Sequence, residues 1–230
     1  MSSPLRVGVL VSGAGTTLQG LIDACARGEV SAQIVLVASD VQGAFAVDRA
    51  RRAGIPTAVL DRRTFASTAA FEAALRDALR TARADLVCLA GFLRILSPAF
   101  VAAFAGRIMN IHPSLLPAFG GKGMYGDRVH EAVLRSGVRV TGCTVHFVTA
   151  VPDGGPIVAQ AAVSVEDDDT VAELSARVRR EEVRLYARAV RWFAEGRLRI
   201  EGTRVRILPP GSAGAPAPGS GAGVPRSRSR

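Results

Sequence analysis

Short apolar runs alternate with longer amphipathic segments through the first half of the chain. Five runs predict buried strands, at residues 6–11, 33–39, 57–60, 86–90 and 107–111. The segments between them predict helices at residues 17–26, 45–53 and 69–81, and a short helix from Ser97, where Pro98 suits the first turn. Continuous apolar strands separated by helices predict a parallel sheet that is covered on both faces.

The pattern changes after Pro113. A glycine-rich loop runs through Gly126 and is followed by a predicted helix at 127–136, two β segments at 142–147 and 157–165, a long amphipathic helix at 171–194 and a hairpin at 198–207. The two β segments are expected to pair as antiparallel edge strands. The sequence therefore predicts an α/β fold with a mostly parallel central sheet, helices on both faces and a late antiparallel edge.

Length and composition predict one domain with a tail. The chain has 230 residues, of which 48% are hydrophobic and 21% are charged, as in ordinary globular proteins. We assign residues 1–208 to one domain. Residues 209–230 contain only Gly, Ser, Ala, Pro, Val and Arg, so this segment is predicted to be a disordered tail.

The net charge of +9 raises the question of nucleic-acid binding. Arg226, Arg228 and Arg230 lie in the tail, which leaves about +6 on the rest of the chain. The other arginines are scattered over the predicted helices rather than clustered. We therefore expect small-molecule substrates, phosphorylated or polyglutamylated, and no nucleic-acid partner.

The cysteines and the N-terminal sequence bear on the compartment. Cys25, Cys88 and Cys143 are widely spaced in apolar runs, which predicts reduced thiols and neither disulfides nor a zinc site. The first residues lack a signal-peptide pattern, and no apolar run approaches about 18 residues. These features predict a cytoplasmic protein without a membrane segment.

The first candidate site is the sequence SGAGTT at residues 12–17, between a predicted strand and a predicted helix. Glycines there let backbone amides approach a ligand, and the helix N-terminus favours an anion such as phosphate. Tight strand-to-helix turns also use glycine for steric reasons alone. The motif by itself leaves both interpretations open.

The second and third candidates contain acid–base side chains. Asn110 and His112 lie two residues apart at the carboxyl end of a predicted parallel strand, so their side chains are expected to point to the same face. The carboxyl ends of the strands are where open α/β sheets bind ligands. Asp153 lies in a turn between the late β segments, and it raises the pKa of His112 if folding brings the two together. A structural histidine and a turn-forming aspartate are the alternatives. His130 and His146 are interpreted as structural or supporting residues.

Four motifs in this order resemble the phosphoribosylglycinamide formyltransferase family, over about residues 5–207. They are VLVSGAGTTLQGLIDA at 9–24, LAGFLRILSPAF at 89–100, NIHPSLLP at 110–117 and TVHFV with DGGPIVAQ between 144 and 160. The resemblance implies a Rossmann-like formyltransferase fold. It implies transfer of a formyl group from the cosubstrate 10-formyltetrahydrofolate to the primary amine of 5-phosphoribosylglycinamide, a one-carbon step of de novo purine (IMP) biosynthesis that needs no metal.

The resemblance also implies roles for individual residues. Three are implied to be catalytic: Asn110, His112 and Asp153. Five are implied to bind the ribonucleotide: Gly15, Thr16, Thr17, Arg179 and Glu182. Ten are implied to bind the folate: Leu93, Arg94, Ile95, Leu96, Asn110, Thr149, Ala150, Val151, Pro152 and Asp153. Asn110 and protonated His112 would stabilise the formyl oxygen as it gains charge, while Asp153 keeps His112 charged and oriented.

The chain departs from the family at two places. The family usually has Asn, with Ser or Thr, in the first loop, where this chain has Ala14 and Thr17. Thr68 stands where many relatives carry arginine, for which Arg62 or Arg63 could substitute. Three rival functions are considered. A methionyl-tRNA formyltransferase has an RNA-binding barrel after the catalytic domain, and a formyltetrahydrofolate hydrolase has an N-terminal regulatory domain before it. The third rival is a non-catalytic nucleotide-binding module. A monomer or a homodimer is expected.

Overall fold

The computed structural model describes residues 3–212, and a nine-stranded sheet forms its centre. The strands are β1 (Leu5–Val11), β2 (Ala32–Ser39), β3 (Thr57–Val59), β4 (Leu86–Leu89), β5 (Ile108–His112), β6 (Val140–Phe147), β7 (Ile157–Ser164), β8 (Leu198–Glu201) and β9 (Arg204–Ile207). Their order across the sheet is β3-β2-β1-β4-β5-β6-β7-β9-β8. The predicted tail at 209–230 lies, apart from its first four residues, outside the described residues.

Six helices and one 3₁₀ turn connect the strands of the described region. The helices are α1 (Thr16–Ala26), α2 (Phe45–Arg52), α3 (Thr68–Thr81), α4 (Pro98–Ala103), α5 (Asp127–Ser136) and α6 (Val171–Ala194), and the 3₁₀ turn is Arg62–Thr64. The side chain of Ser97 caps α4, and Thr170 forms a capping box with Glu173 at the start of α6. None of the helices within residues 3–212 combines the length and apolarity needed to cross a membrane.

Both faces of the sheet are covered, because successive strand residues point to opposite sides. Val9 belongs to a core cluster that packs against α1, α2, α5 and α6, whereas the next residue, Leu10, belongs to a second cluster that packs against α3 and α4. Cys88 and Cys143 are buried, and burial raises the pKa of each thiol to about 12. All three cysteines are free thiols.

The predicted α/β fold is confirmed, with strand and helix ends within about two residues of the predictions. Strands β1 to β5 are parallel, and β5, β6 and β7 pair antiparallel. The prediction that β6 and β7 form the edge is wrong. The hairpin β8–β9 adds to β7 through a single parallel pairing at Ile157 and Arg204, so β8 is the edge strand.

The strand order creates a crevice at the carboxyl ends of β1 and β4. The chain leaves β1 toward β2 on one side and leaves β4 toward β5 on the other, and the two loops separate there. Ser12 after β1 donates its backbone N–H to the carbonyl of Gly91 after β4, at 3.1 Å. Such a switch point is where open α/β sheets bind ligands.

Candidate active site

A cavity of about 490 Å³ opens at this switch point. Its wall combines the β1–α1 loop, the loop after β4, the end of β5, the glycine-rich loop before α5, the β6–β7 loop and one turn of α6. All three predicted catalytic residues and all five predicted ribonucleotide residues line it. Folding therefore brings together motifs that are far apart in the sequence.

The first loop presents the start of α1 to the cavity. Gly15 has a φ of 72°, and a Cβ there would lie 2.6 Å from the Cβ of Ala46 on α2, so a side chain fits neither the backbone conformation nor the space. No side chain caps α1, which leaves its first amides available for an anion. Arg49 fixes the loop by donating from Nε to the Ala14 carbonyl at 2.9 Å. Arg49 lies outside the motifs from which the site was predicted.

Asn110 and His112 lie on β5 as predicted and both face the cavity. Asn110 pairs with His146 of β6, and its Nδ2 lies 3.2 Å from His146 Nε2. His112 is buried, and its Nε2 lies 2.8 Å from the Phe119 carbonyl oxygen. A carbonyl oxygen only accepts, so Nε2 of His112 carries a proton and Nδ1 is the ring nitrogen that can titrate.

Asp153 lies between His112 of β5 and His146 of β6. Its backbone has a φ of 53°, and Oδ2 accepts the Gly121 N–H at 2.8 Å. Oδ2 also lies 3.6 Å from His112 Nδ1, and Oδ1 lies 3.6 Å from His146 Nε2. Burial raises the pKa of Asp153, but its contacts with His146, the Gly121 amide and His112 outweigh burial and lower that pKa overall. Asp153 is therefore an anion beside His112.

The pKa of His112 is lowered, not raised as predicted. Burial is the largest effect and disfavours the imidazolium, while the Phe119 carbonyl and the charge of Asp153 act in the opposite direction and His146 lowers the pKa further. The predicted influence of Asp153 is present but smaller than the desolvation. His112 is therefore mainly neutral at neutral pH in the free protein.

The loop after β4 forms a mostly apolar wall. Leu93 and Ile95 are 57% and 60% exposed, although each lines the cavity, which suits an aromatic ligand. A buried network holds this loop: Ser12 Oγ donates to Asp40 at 2.6 Å and accepts the Leu93 N–H at 3.0 Å, and Arg94 Nε pairs with Asp40 at 2.5 Å. The role of Asp40 was not predicted, because the residues next to it in the sequence form no recognisable motif.

Eight of the ten predicted folate residues line the cavity, including Leu96, Thr149 and Pro152. Ala150 and Val151 lie in the β6–β7 loop outside the cavity wall, and Val151 is 64% exposed. Hydrogen bonds between Thr149 Oγ1 and the Val151 backbone, at 3.2 and 3.3 Å, hold these two residues in a tight turn.

The two candidate substitutes for the arginine that relatives carry near Thr68 behave differently. Arg62 donates to Thr68 Oγ1 at 3.1 Å and to the Phe65 carbonyl at 3.0 Å. Arg63 instead pairs with Asp61 at 2.7 Å. Thr68 thus holds the Arg62 guanidinium at the start of α3, and neither Arg62 nor Arg63 is among the residues that line the cavity.

One turn of α6 supplies a polar wall opposite the apolar one. Arg179 and Glu182 line the cavity with Ser175, which accepts a bond from Arg179 Nη2 at 3.1 Å. His130 of α5 also lies there, buried, and its Nδ1 has no hydrogen-bond partner within residues 3–212. Burial raises the pKa of Glu182 to about 7, although Arg179 opposes this.

No group of His, Cys, Asp and Glu within the described region is arranged to hold a metal ion.

The Glu182 carboxyl makes stability depend on pH. Its pKa is about 7 in the folded chain against an ordinary value of 4.5, so wild-type stability falls as pH rises from about 4.5 to 7. Glu182→Gln is expected to match the wild type near pH 4.5 and to be more stable at pH 8, by on the order of 2 kcal/mol. Urea unfolding at both pH values measures the difference.

The control is Glu181→Gln, because the neighbouring Glu181 carboxylate pairs with Arg184 at 2.8 Å on the exposed side of α6. This variant should shift stability by the same small amount at both pH values. Equal stability gains for Glu182→Gln at pH 4.5 and pH 8 would show that the half-buried carboxyl does not titrate as described.

The fold and the cavity define a Rossmann-like α/β protein with a candidate acid–base site at its switch point. One wall of the site is apolar, one is polar, and the start of α1 is open to an anion. Residues 5–190 match the family described as formyl transferase. The chain belongs to the formyl transferase family.

Relatives within the family agree with this assignment. The chain is 42% identical to the phosphoribosylglycinamide formyltransferase of Haemophilus influenzae, over 85% of this chain and 90% of the relative. Glycinamide ribonucleotide transformylase 1 of Symbiobacterium toebii is 48% identical, with a TM-score of 0.87 over 91% of this chain and 96% of that one. A formyltetrahydrofolate deformylase of Burkholderia mallei is 32% identical, with a TM-score of 0.80 over 90% of this chain and 70% of that one.

Proposed function

We propose that the chain transfers the formyl group of 10-formyltetrahydrofolate to the primary amine of 5-phosphoribosylglycinamide, in de novo purine biosynthesis. The observation that carries the proposal is the convergence of Asn110, His112 and Asp153 in one cavity, between a loop suited to phosphate and a wall suited to an aromatic ring. The names of the similar proteins support the same reaction. No covalent enzyme intermediate is required.

The proposed acceptor site uses the polar end of the cavity. The backbone amides at Gly15, Thr16 and Thr17 face the phosphate, where the positive end of the α1 dipole stabilises a dianion. Arg179 and Glu182 face the ribose and the amine side of the ribonucleotide. Ala14 and Thr17, where the family usually has Asn with Ser or Thr, leave backbone donation intact.

The proposed donor site uses the apolar end. Leu93, Ile95 and Leu96 contact the pterin ring, and the backbone groups of the same loop supply its hydrogen bonds. The Ser12–Asp40–Arg94 network keeps this loop in place. The donor and acceptor would then meet at Asn110 and His112, between the two walls.

The proposed reaction forms a bond between the acceptor nitrogen and the formyl carbon and breaks the bond from that carbon to N10 of the folate. An Asn110 N–H stabilises the formyl oxygen as it gains negative charge. Nδ1 of neutral His112 takes the proton that the attacking amine loses and returns it to N10 as the folate departs. Asp153, 3.6 Å from Nδ1, stabilises the transient imidazolium.

A steady-state assay tests the proposal. Purified protein is incubated with 10-formyltetrahydrofolate, with and without 5-phosphoribosylglycinamide, and the deformylated folate is followed over time. We expect turnover that requires the amine. Turnover without the amine would instead indicate hydrolysis, the second candidate, which the similarity to a formyltetrahydrofolate deformylase favours.

The remaining expectations stay predictions. We expect small-molecule substrates without a nucleic-acid partner, a monomer or a homodimer, and a cytoplasmic location. Size-exclusion chromatography with light scattering measures the oligomeric state, and cell fractionation measures the location. Removal of residues 209–230 is expected to leave turnover unchanged, which tests the assignment of residues 1–208 as the catalytic domain.

A further inference from the structure

His146 is a buried histidine next to the reacting centre that has no role in the mechanism above. It lies on β6 directly opposite Asn110 and is 2% exposed. Its Nδ1 lies 2.9 Å from the Phe147 carbonyl oxygen, and its Nε2 lies 3.2 Å from Asn110 Nδ2. Both ring nitrogens are therefore engaged, one on each side of the ring.

The Phe147 carbonyl fixes the tautomer of His146. A carbonyl oxygen only accepts hydrogen bonds, so Nδ1 must carry the proton. In the neutral ring Nε2 is then a bare acceptor, and its partner must donate. Asn110 meets this requirement only by presenting its NH2 group, with its carbonyl oxygen turned away.

This arrangement fixes the orientation of the Asn110 amide. One N–H bonds to His146 and keeps the amide from rotating, while the second N–H has no bonding partner within residues 3–212 and can donate. An amide that could rotate by 180° would instead present its oxygen to a formyl oxygen that is gaining negative charge, which is repulsive. Preorganised donors are effective because they need no reorientation during the reaction.

We propose that His146, with its proton on Nδ1, is a positioning residue that holds the Asn110 amide with one N–H directed to the formyl oxygen. The proposal rests on the proposed function, since it assigns a further residue to the same reaction. The competing role for His146 is a charged partner of Asp153, whose Oδ1 is 3.6 Å from Nε2. A proton on Nε2 would help to lower the pKa of Asp153, which favours this competing role. The 3.6 Å distance nevertheless exceeds a hydrogen bond, whereas the 3.2 Å contact with Asn110 does not.

A double-mutant cycle separates the two roles. His146→Leu removes the acceptor and is expected to lower kcat about 10- to 100-fold, with KM of both substrates within about 2-fold, because a misoriented donor affects the transition state more than binding. In an Asn110→Ala background the same replacement should cost almost nothing further, since the group that it orients is gone. His146→Gln, whose side-chain oxygen can accept from Asn110, should recover part of the loss.

The opposite pattern overturns the proposal. If the loss persists in Asn110→Ala and disappears in Asp153→Asn, His146 acts through Asp153. A structural role alone would lower the unfolding temperature and leave the cycle additive. Wild-type turnover is measured in parallel, so failure of the formyl transfer itself is distinguished from failure of the His146 assignment.

A measurement on the wild-type protein does not depend on any variant folding. The chain has three histidines, so their ¹⁵N signals can be assigned individually by comparison with single variants. Long-range ¹H–¹⁵N spectra at neutral pH are expected to show His146 protonated on Nδ1 with a bare Nε2. A proton on Nε2 would contradict the proposal, whatever the kinetics show.

Discussion

His112→Ala is expected to lower kcat at least 10²- to 10³-fold while the protein still folds. The ring that moves the amine proton is lost, and so is the imidazolium that balances the developing charge beside Asn110. Steady-state kinetics with both substrates measure the effect, and circular dichroism with thermal unfolding confirms the fold. Near-normal turnover in this variant would remove His112 from the mechanism.

The pH profile adds a second test of His112. Because burial lowers its pKa below the ordinary value of 6.5, the basic form is present at neutral pH, and kcat/KM should fall only as pH drops through this lowered pKa. An acid limb at or above pH 6.5 would mean that another group controls the rate.

His112→Gln is the matched control for the loss of the ring. Its amide can still donate to the Phe119 carbonyl, which His112 Nε2 contacts at 2.8 Å, but it cannot carry a proton between two atoms. It should therefore be as inactive as His112→Ala and more stable. Recovery of turnover with glutamine would mean that the hydrogen bond to Phe119, not proton transfer, is what the reaction needs.

The sequence predicted the strands and helices because each has a strong local signal. Residues such as Val9 and Leu10 are buried on opposite faces of β1, and a continuous apolar run predicts that pattern without any knowledge of contacts. The edge was mispredicted because the β7–β9 pairing depends on one bridge between residues far apart in the sequence, at Ile157 and Arg204. Periodicity carries no information about such a pairing.

The candidate site was predictable where the local pattern was sufficient. The spacing of Asn110 and His112 on one strand predicted a shared face, and that prediction is confirmed. The lowered pKa of His112 was not predictable, since desolvation depends on how deeply the folded chain buries the ring. The roles of Arg49 and Asp40 in fixing the cavity loops were not predicted for a related reason. Both roles depend on hydrogen bonds to loop residues that are far away in the sequence.

Asp153→Asn is expected to lower kcat by on the order of 10³-fold, less than the roughly 10⁴-fold that loss of the carboxylate behind the catalytic histidine costs in a serine protease. The asparagine oxygen can still accept the Gly121 N–H, which Asp153 accepts at 2.8 Å, so the loop should keep its shape. What disappears is the negative charge 3.6 Å from His112 Nδ1, and with it the stabilisation of the imidazolium. Steady-state kinetics and thermal unfolding together separate this loss from a folding defect.

The same variant should change the pH dependence in a defined direction. Asp153 raises the pKa of His112 against the larger effect of burial, so removing its charge should move the acid limb of kcat/KM to lower pH. Asp127→Asn is the matched control, because Asp127 also lines the cavity but, within the described residues, forms no ion pair with His112 as Asp153 does. Its kcat should stay within a few fold of the wild type. If the two variants lose activity equally, the effect reflects the overall charge of the cavity rather than the pairing of Asp153 with His112.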